Sequence, residues 1–190
     1  MSLTGTNKKY AVNEIFYSLQ GEGYFTGTAA VFLRFSGCNR RCDFCDTNHS
    51  AFTLMSTKQI ISLLTAYPTR HIVITGGEPM LQVDDNLIDA LHSAGFFITV
   101  ETNGSKRIDC NIDWVTCSPK TAPLEINRID ELKIVYQSQD VESIKDSLPE
   151  ARHYFLQPCS GINTAETVAY IKSHPWWRLS LQTHKLIDIP

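Results

Sequence analysis

The chain has 190 residues, the usual size of one domain, and its composition of 43% hydrophobic and 19% charged residues is ordinary for a globular protein. The formal net charge of −3 argues against direct nucleic-acid binding, which usually needs a basic face. No apolar run approaches the length of a transmembrane helix. No segment resembles a secretory leader, so we expect a cytoplasmic protein with reduced cysteines and no membrane partner, forming one domain over residues 4–190.

Seven short runs rich in β-branched and aromatic residues predict buried strands, at residues 30–35, 71–75, 97–101, 114–117, 131–136, 154–157 and 179–182. Helical patterns lie between several of them, at residues 56–65, 84–94, 140–147 and 164–173. This alternation predicts right-handed βαβ units and a parallel sheet. Residues 102–113 are too few for a full crossover helix with its loops. We therefore expect an α/β fold that forms an incomplete, trimmed (β/α) barrel.

Cys38, Cys42 and Cys45 form a C-x3-C-x2-C motif. Three thiolates on one short loop can hold three corners of a cubane iron–sulfur cluster and leave the fourth iron without a protein ligand. An open coordination position is typical of a reactive metal site. A structural zinc site would need a remote fourth ligand, because the other cysteines stand singly and no histidine pair has zinc-finger spacing. The motif therefore predicts a reactive metal site more than a structural one.

Polar and glycine-rich segments follow five of the predicted strands, at residues 75–79, 101–104, 118–120, 157–160 and 182–185. In parallel α/β folds the carboxyl ends of the strands form one rim that holds the active site. Gly76 and Gly77 would let the backbone approach a ligand closely, and Glu78 could pair with a ligand ammonium group. Ser118 and Lys120 offer donors for a carboxylate or a ribose. An amino-acid head group with an attached nucleoside would suit this set.

The cysteine motif, with Phe44 before its last cysteine, and the Gly-Gly-Glu-Pro segment at 76–79 together resemble the radical S-adenosylmethionine (SAM) superfamily. More narrowly, segments 16–23, 32–38, 45–47, 101–104, 118–120, 156–158 and 181–185, with the terminal Pro190, resemble the 7-carboxy-7-deazaguanine synthase family. This resemblance implies a lyase of queuosine biosynthesis, which supplies a tRNA modification pathway. Such a lyase converts 6-carboxy-5,6,7,8-tetrahydropterin to 7-carboxy-7-deazaguanine with loss of ammonia. Some members carry a longer insertion between the first two cysteines, whereas this chain has the short spacing.

The resemblance also implies the cofactors and the residues that hold them. Cys38, Cys42 and Cys45 would carry a [4Fe–4S] cluster whose electron cleaves SAM, so that a 5′-deoxyadenosyl radical takes hydrogen from the pterin. The hydroxyl of Thr47 would bind Mg²⁺, although from local sequence a loop-stabilising turn is an equal alternative for this threonine. The implied SAM contacts are Phe44, Gly77, Ser118, Pro119, Lys120, Gln157, Pro158, Cys159 and Ser160.

Substrate contacts are implied for six residues: Leu19, Gln20, Gly21, Arg34, Thr75 and the carboxylate of Pro190. The planar guanidinium of Arg34 suits bidentate pairing with the substrate carboxylate, and a salt bridge within the barrel is its alternative. Glu22 and Glu101 are candidates for moving protons, or else for anchoring backbone or ribose. His184 is interpreted first as a structural residue.

Two other functional hypotheses remain open at this point. A short radical SAM activase would share the cysteine motif but act on a glycyl-radical enzyme. A non-catalytic electron carrier would fill the fourth cluster position with a cysteine. The family resemblance favours the pterin lyase, and it further implies a homodimer that receives electrons from a flavodoxin- or ferredoxin-type reductant.

Overall fold

The computed structural model describes residues 8–43, 45 and 51–190, and a nine-stranded sheet forms its frame. The strands are β1 (Lys9–Leu19), β2 (Ala29–Phe35), β3 (Thr53–Ser56), β4 (His71–Gly76), β5 (Phe97–Thr102), β6 (Trp114–Cys117), β7 (Glu131–Tyr136), β8 (His153–Pro158) and β9 (Arg178–Leu179). Their order is β3-β1-β2-β4-β5-β6-β7-β8-β9. In this order the strands from β2 to β9 are each parallel to the next one. Strand β1 is antiparallel to both of its neighbours, β2 and β3.

Five α-helices lie in the described part of the chain: α1 (Thr57–Leu64), α2 (Asp85–Ser93), α3 (Val141–Asp146), α4 (Thr164–Ser173) and α5 (Thr183–Leu186). Three of them begin at polar caps. The Ser56 hydroxyl accepts a hydrogen bond from the Gln59 amide, and the Gln59 side chain accepts one from the Ser56 amide. Asp84 and Asp140 cap α2 and α3 in a similar way: each side chain accepts a hydrogen bond from the backbone amide three residues later in the chain. These caps satisfy amides that the helix itself leaves unpaired, which explains where the helices start.

The sheet separates two environments because successive side chains point to opposite faces. On β7, Leu132 and Ile134 pack in the main hydrophobic core, which lies between the sheet and its helices. Lys133 and Val135 face the other way, into a cavity on the inner side of the sheet. The same alternation places Leu33 in the core. The inner face can therefore carry polar chemistry without disturbing the packed outer face.

The observed architecture confirms the α/β class and the mostly parallel sheet, with some differences. The last predicted strand run, residues 179–182, is strand only at Leu179, within the two-residue β9. Neither β1 nor β3 was predicted. Strand β1 is half-exposed, lies on the antiparallel side of the sheet and lacks a continuous buried run. Residues 103–113 and 118–130 form no helix, so the crossovers that flank β6 are loops, as expected for a trimmed barrel.

No helix in the part of the chain that the structure describes is both long enough and apolar enough to cross a membrane.

Candidate active site

A cavity of about 290 Å³ opens at the carboxyl ends of the parallel strands. Its walls include Arg34 from β2, Thr75 from β4, Glu101 from β5 and Gln157 from β8, together with Ser118, which directly follows β6. The volume lies near the lower end of the roughly 300–1,000 Å³ range of small-molecule sites. The structure thus brings the polar segments that follow these strands to one place.

The three motif cysteines, Cys38, Cys42 and Cys45, are free thiols that line this cavity. The Cys38 sulfur accepts the backbone N–H of Arg40 at 3.4 Å and lies 3.9 Å from the side-chain nitrogen of Asn103. N–H donors of this kind stabilise the sulfur charge of an iron–sulfur cluster. The donor set therefore fits a cluster.

A single metal ion fits this loop less well. Over residues 8–43, 45 and 51–190, no three Cys, His, Asp or Glu side chains converge as ligands of one ion do. A four-iron cluster needs no such convergence, because each thiolate binds a different iron. Cys159 also lines the cavity, but it follows β8, which is five strands away from β2 in the sheet order.

The glycine pair at the end of β4 lets that strand pack directly on the cysteine loop. A Cβ atom on Gly77 would lie 2.1 Å from the Gly37 carbonyl oxygen and 2.6 Å from the Cys38 Cβ. The Glu78 amide donates to the same Gly37 carbonyl at 3.0 Å. Both Gly76 and Gly77 also line the cavity. The close backbone approach expected toward a ligand is thus made, in this structure, toward the loop that carries the cysteines.

Glu78 does not face the cavity, so its expected pairing with a ligand ammonium group is contradicted. Its side chain is fully buried, and its carboxylate accepts hydrogen bonds from the Asn103 amide at 2.7 Å and the Thr102 hydroxyl at 2.8 Å. Burial raises the pKa of this carboxyl, while those hydrogen bonds oppose the rise. Glu78 therefore ties the end of β4 to the end of β5, and with it the residues that line the cavity there.

Most of the residues predicted to contact SAM lie together on the cavity wall: Gly77, Ser118, Lys120, Gln157, Pro158, Cys159 and Ser160. Pro119 is described but does not line the cavity, and Phe44 lies outside the described residues. The Lys120 ammonium donates to the Ser118 hydroxyl at 2.9 Å, and burial lowers the pKa of Lys120. A cation and a hydroxyl held side by side suit the carboxylate and hydroxyl groups of an amino-acid nucleoside.

All six predicted substrate contacts also line the cavity: Leu19, Gln20, Gly21, Arg34, Thr75 and Pro190. The Arg34 Nε donates to Glu14 Oε1 at 2.7 Å, and the guanidinium lies 5.6 Å from the centre of the Phe16 ring. An irregularity in β1 between Val12 and Glu14 places Glu14 opposite Arg34 on β2. The salt bridge considered as an alternative is therefore present, and it holds Arg34 at the cavity rather than away from it.

The last residues of the chain dock against the loop that follows β1. The Thr183 amide and hydroxyl both donate to the Gly21 carbonyl at 2.9 Å, and the Ser18 hydroxyl donates to the Pro190 oxygen at 2.6 Å. A Cβ on Gly21 would overlap the His184 ring, at 2.1 Å from its Nδ1. The tail is thus an ordered wall of the cavity, and His184 packs as part of it.

Lys133 was missed by the sequence analysis, although it joins the two predicted proton-moving carboxylates. Its side chain is 3% exposed, and its ammonium lies 2.6 Å from Glu22 Oε2 and 2.8 Å from Glu101 Oε2. A lysine inside the apolar strand run at 131–136 was the available signal, since an unpaired charge is costly to bury.

The ion pair between Glu22 and Lys133 favours the charged form of both groups. Burial alone would raise the pKa of Glu22, but the attraction and hydrogen bonds from Lys133 and the hydrogen bond from Gln182 lower it to about 2. Burial alone would lower the pKa of Lys133, and its attraction to Glu101 and Glu22 raises it instead.

Thr47, the predicted Mg²⁺ ligand, lies outside the described residues.

Comparison with known proteins agrees with this geometry. The model of the radical SAM superfamily matches residues 33–168. A 7-carboxy-7-deazaguanine synthase from Bacteroides thetaiotaomicron is 60% identical, over 94% of this chain and 97% of the relative. One from Burkholderia multivorans is 44% identical, over 95% of this chain and 99% of the relative.

A solved structure shares the fold as well. The crystal structure of QueE from Escherichia coli superposes with a TM-score of 0.78 at 30% identity, covering 91% of this chain and 93% of that chain. The matches span the cysteine loop, the strand ends that form the cavity and nearly the whole chain. The chain therefore belongs to the radical SAM superfamily and, within it, to the 7-carboxy-7-deazaguanine synthase family.

Proposed function

We propose that this protein converts 6-carboxy-5,6,7,8-tetrahydropterin to 7-carboxy-7-deazaguanine and ammonia, in the queuosine pathway. The observation that carries the proposal is the 60% identity to a 7-carboxy-7-deazaguanine synthase over nearly the full length of both chains. Substrate and product differ by one molecule of ammonia, so the conversion is redox-neutral overall. The protein is accordingly a radical SAM lyase that acts on a small molecule.

The radical SAM family implies a [4Fe–4S] cluster and SAM, and the cavity offers residues to hold both. Cys38, Cys42 and Cys45 would bind three irons, and Lys120 with Ser118 would contact the SAM carboxylate or ribose. Once bound, the pair supplies a one-electron cleavage that produces a carbon radical able to abstract hydrogen. The apolar side chains of Phe16, Phe32, Val73 and Val135, which also line the cavity, would exclude water from that chemistry.

The substrate would lie between the tail and the strand ends. Arg34, held by Glu14, would bind the substrate carboxylate, and the Pro190 carboxylate, held by Ser18, would accept N–H groups of the pterin. Leu19, Gln20, Gly21 and Thr75 complete this wall. Glu22 and Glu101 are the two candidates for proton movement, since both carboxylates line the cavity where the pterin would lie.

Four further features are part of the proposal. Mg²⁺ would be bound by Thr47 and the substrate. The protein would act as a homodimer, in the cytoplasm, and would take electrons from a flavodoxin- or ferredoxin-type reductant. Thr47→Ala should weaken the Mg²⁺ dependence of turnover while SAM cleavage persists; an unchanged metal response would contradict the assigned ligand.

The test of the function is anaerobic turnover. Reconstituted, reduced protein is incubated with the carboxy-tetrahydropterin, SAM and Mg²⁺, and 7-carboxy-7-deazaguanine is detected by mass spectrometry. Absence of product, with hydrogen abstraction from a partner polypeptide instead, would favour an activase. Failure of SAM to perturb the electron paramagnetic resonance signal of the reduced cluster would favour a non-catalytic electron carrier.

A further inference from the structure

Lys133 lies on the inner face of β7, at a position that the family resemblance did not single out. Its side chain is 3% exposed, and its ammonium contacts two carboxylates at 2.6 and 2.8 Å, on Glu22 and Glu101. A lysine buried this deeply is destabilising unless it is closely paired, and its two pairs fulfil that condition. Because Lys133 also lines the cavity, the whole trio faces the ligand space.

The trio is closed into a ring by Gln20. The Gln20 side-chain nitrogen donates to Glu101 Oε1 at 3.1 Å, and the Gln20 side-chain oxygen accepts the Glu22 amide at 3.1 Å. Gln182 braces the ring from the C-terminal segment by donating to Glu22 Oε1 at 2.9 Å. The ring thus joins the loop after β1, the end of β5 and the middle of β7. These segments are far apart in sequence, and Lys133 is the cation that fixes their carboxylates relative to one another.

Each carboxylate keeps acceptor capacity after these bonds are counted. The two oxygens of Glu22 accept one hydrogen bond each, from Gln182 and Lys133, and those of Glu101 accept from Gln20 and Lys133. An ionised carboxylate has about four lone-pair sites. With two carboxylates and one ammonium, the trio carries a net negative charge. This end of the cavity therefore suits neutral N–H donors, while Arg34 offers a separate position for an anion.

We infer that Lys133 is a positioning residue: it holds Glu22 and Glu101 as paired acceptors for the ring N–H and amino groups of the bound substrate. This inference rests on the proposed function, which supplies the donor-rich pterin. A hydrogen-bonded ring that is already assembled needs no rearrangement when the substrate binds. It should therefore favour both the binding and the orientation of the substrate. A displacement of the two carboxylates would accordingly reduce turnover even with the cluster and SAM in place.

The test compares Lys133→Met, which keeps the side-chain length but removes the charge, with Lys133→Arg and with Lys172→Met, a change at an exposed lysine on α4. We expect Lys133→Met to retain bound iron and SAM affinity but to lose about 100-fold in kcat/KM for the pterin. Lys133→Arg should recover part of that loss, and Lys172→Met should behave as wild type. Wild-type kcat/KM in Lys133→Met, or a loss of SAM affinity with an unchanged pterin KM, would overturn the inference.

A second readout needs no substrate and separates this inference from the proposed function. Isotope-edited NMR of the glutamate carboxyl carbons, assigned with Glu22→Gln, follows the titration of Glu22 in the cluster-loaded protein. Over the pH range in which the cluster survives, Glu22 should stay ionised in wild type because Lys133 lowers its pKa. In Lys133→Met it should take up a proton within that range, because burial raises its pKa and the opposing cation is gone. The other charged groups near Lys133 and Glu22 are Glu101, Glu131, Lys120 and His184, and they are unchanged by the substitution.

The outcomes are distinct. An unchanged Glu22 titration in Lys133→Met would show that Lys133 does not hold this carboxylate and would overturn the inference. If wild-type protein does not convert the pterin, the proposed function fails, and the titration alone then decides whether Lys133 positions Glu22.

Discussion

The inner face of the sheet has two ends that differ in kind. At the carboxyl ends of the strands lie the cavity, the three cysteines and the ion pairs of Lys133. At the other end an aromatic cluster packs together, with ring centres between 4.5 and 5.6 Å apart for the contacting pairs: Tyr24, Phe25, Trp114 and His153. The same strands thus carry chemistry at one end and aromatic packing at the other.

The charged site at one end of the sheet is supported by the packing at the other end. Aromatic packing fills the amino-terminal end, and it holds the loop that continues from Tyr24 back to Glu22. The backbone amide of Tyr24 donates to Glu131, two residues before Lys133 on β7. The aromatic end, here called the closed end, therefore positions the cavity end, here called the open end. Substitutions at the two ends should have separable effects.

The largest effect is expected at the cysteines of the open end. Alanine at Cys38, Cys42 or Cys45 should abolish turnover and lower bound iron, because each thiolate would bind one iron of the cluster. Iron content and the electron paramagnetic resonance spectrum of reduced protein provide the measurement. Cys110→Ala is the matched control, since Cys110 packs beside the main core and not at the cavity. Full iron loading in any of the three variants would contradict the assignment.

Loss of the guanidinium at Arg34 should come next. Arg34→Met removes the proposed partner of the substrate carboxylate and should raise the pterin KM by about 100-fold. Arg34→Lys should recover only part of this, because an ammonium cannot reproduce bidentate pairing. Steady-state kinetics would measure this KM. The control is Arg152→Met, a change at an exposed arginine. A KM within twofold of wild type would show that Arg34 serves only its salt bridge with Glu14.

A smaller effect is expected at the chain end. Adding residues after Pro190 displaces the terminal carboxylate, and Ser18→Ala removes the hydroxyl that holds it, so each change should raise the pterin KM about tenfold. Since both act on one group, the combined variant should be little worse than either alone. Ser62→Ala, at an exposed position on α1, is the control. A harmless extension would show that the tail does not reach the substrate.

The closed end should change stability rather than chemistry. Burial raises the pKa of Glu131 to about 7, against the attraction of Lys133, so the folded protein holds this proton more tightly than the unfolded chain does. The associated stability is complete below pH 4.5 and is lost as the pH rises through 7. Glu131→Gln stays neutral and should reduce this decline by an amount on the order of 2 kcal/mol, with iron loading retained. Denaturant unfolding at a series of pH values measures it, and an unchanged slope would contradict the prediction.

The strands that pack on both faces were predictable, and the half-exposed ones were not. Residues 114–117 are a continuous run of aromatic, β-branched and cysteine residues, and residues 131–136 are apolar apart from Glu131 and Lys133. The two runs became β6 and β7 with the expected bounds. Strand β1 carries buried residues only at Tyr10 and Val12, because one of its faces meets solvent or the cavity. A local pattern reports burial, so a strand without continuous burial gives a weak signal.

The residues of the site also differ in whether the sequence alone could identify them. Cys38, Cys42 and Cys45 were recognisable because their spacing is local and their chemistry is specific. Glu78 was misinterpreted, because residue type alone does not tell whether a carboxylate faces a ligand or accepts three buried hydrogen bonds. Lys133 was missed, because its partners lie 111 and 32 residues away in the chain.

By itself the sequence determined the cysteine motif, the order of the buried strands and of the four helices between them, and the family, since each depends on residues close together or on a pattern along the chain. Only the tertiary structure decided which carboxylates meet Lys133, which glycine packs on the cysteine loop and where the chain end docks. Those contacts depend on the distances between residues that folding brings together, and the energy of a buried charge is set by such distances rather than by its neighbours in sequence.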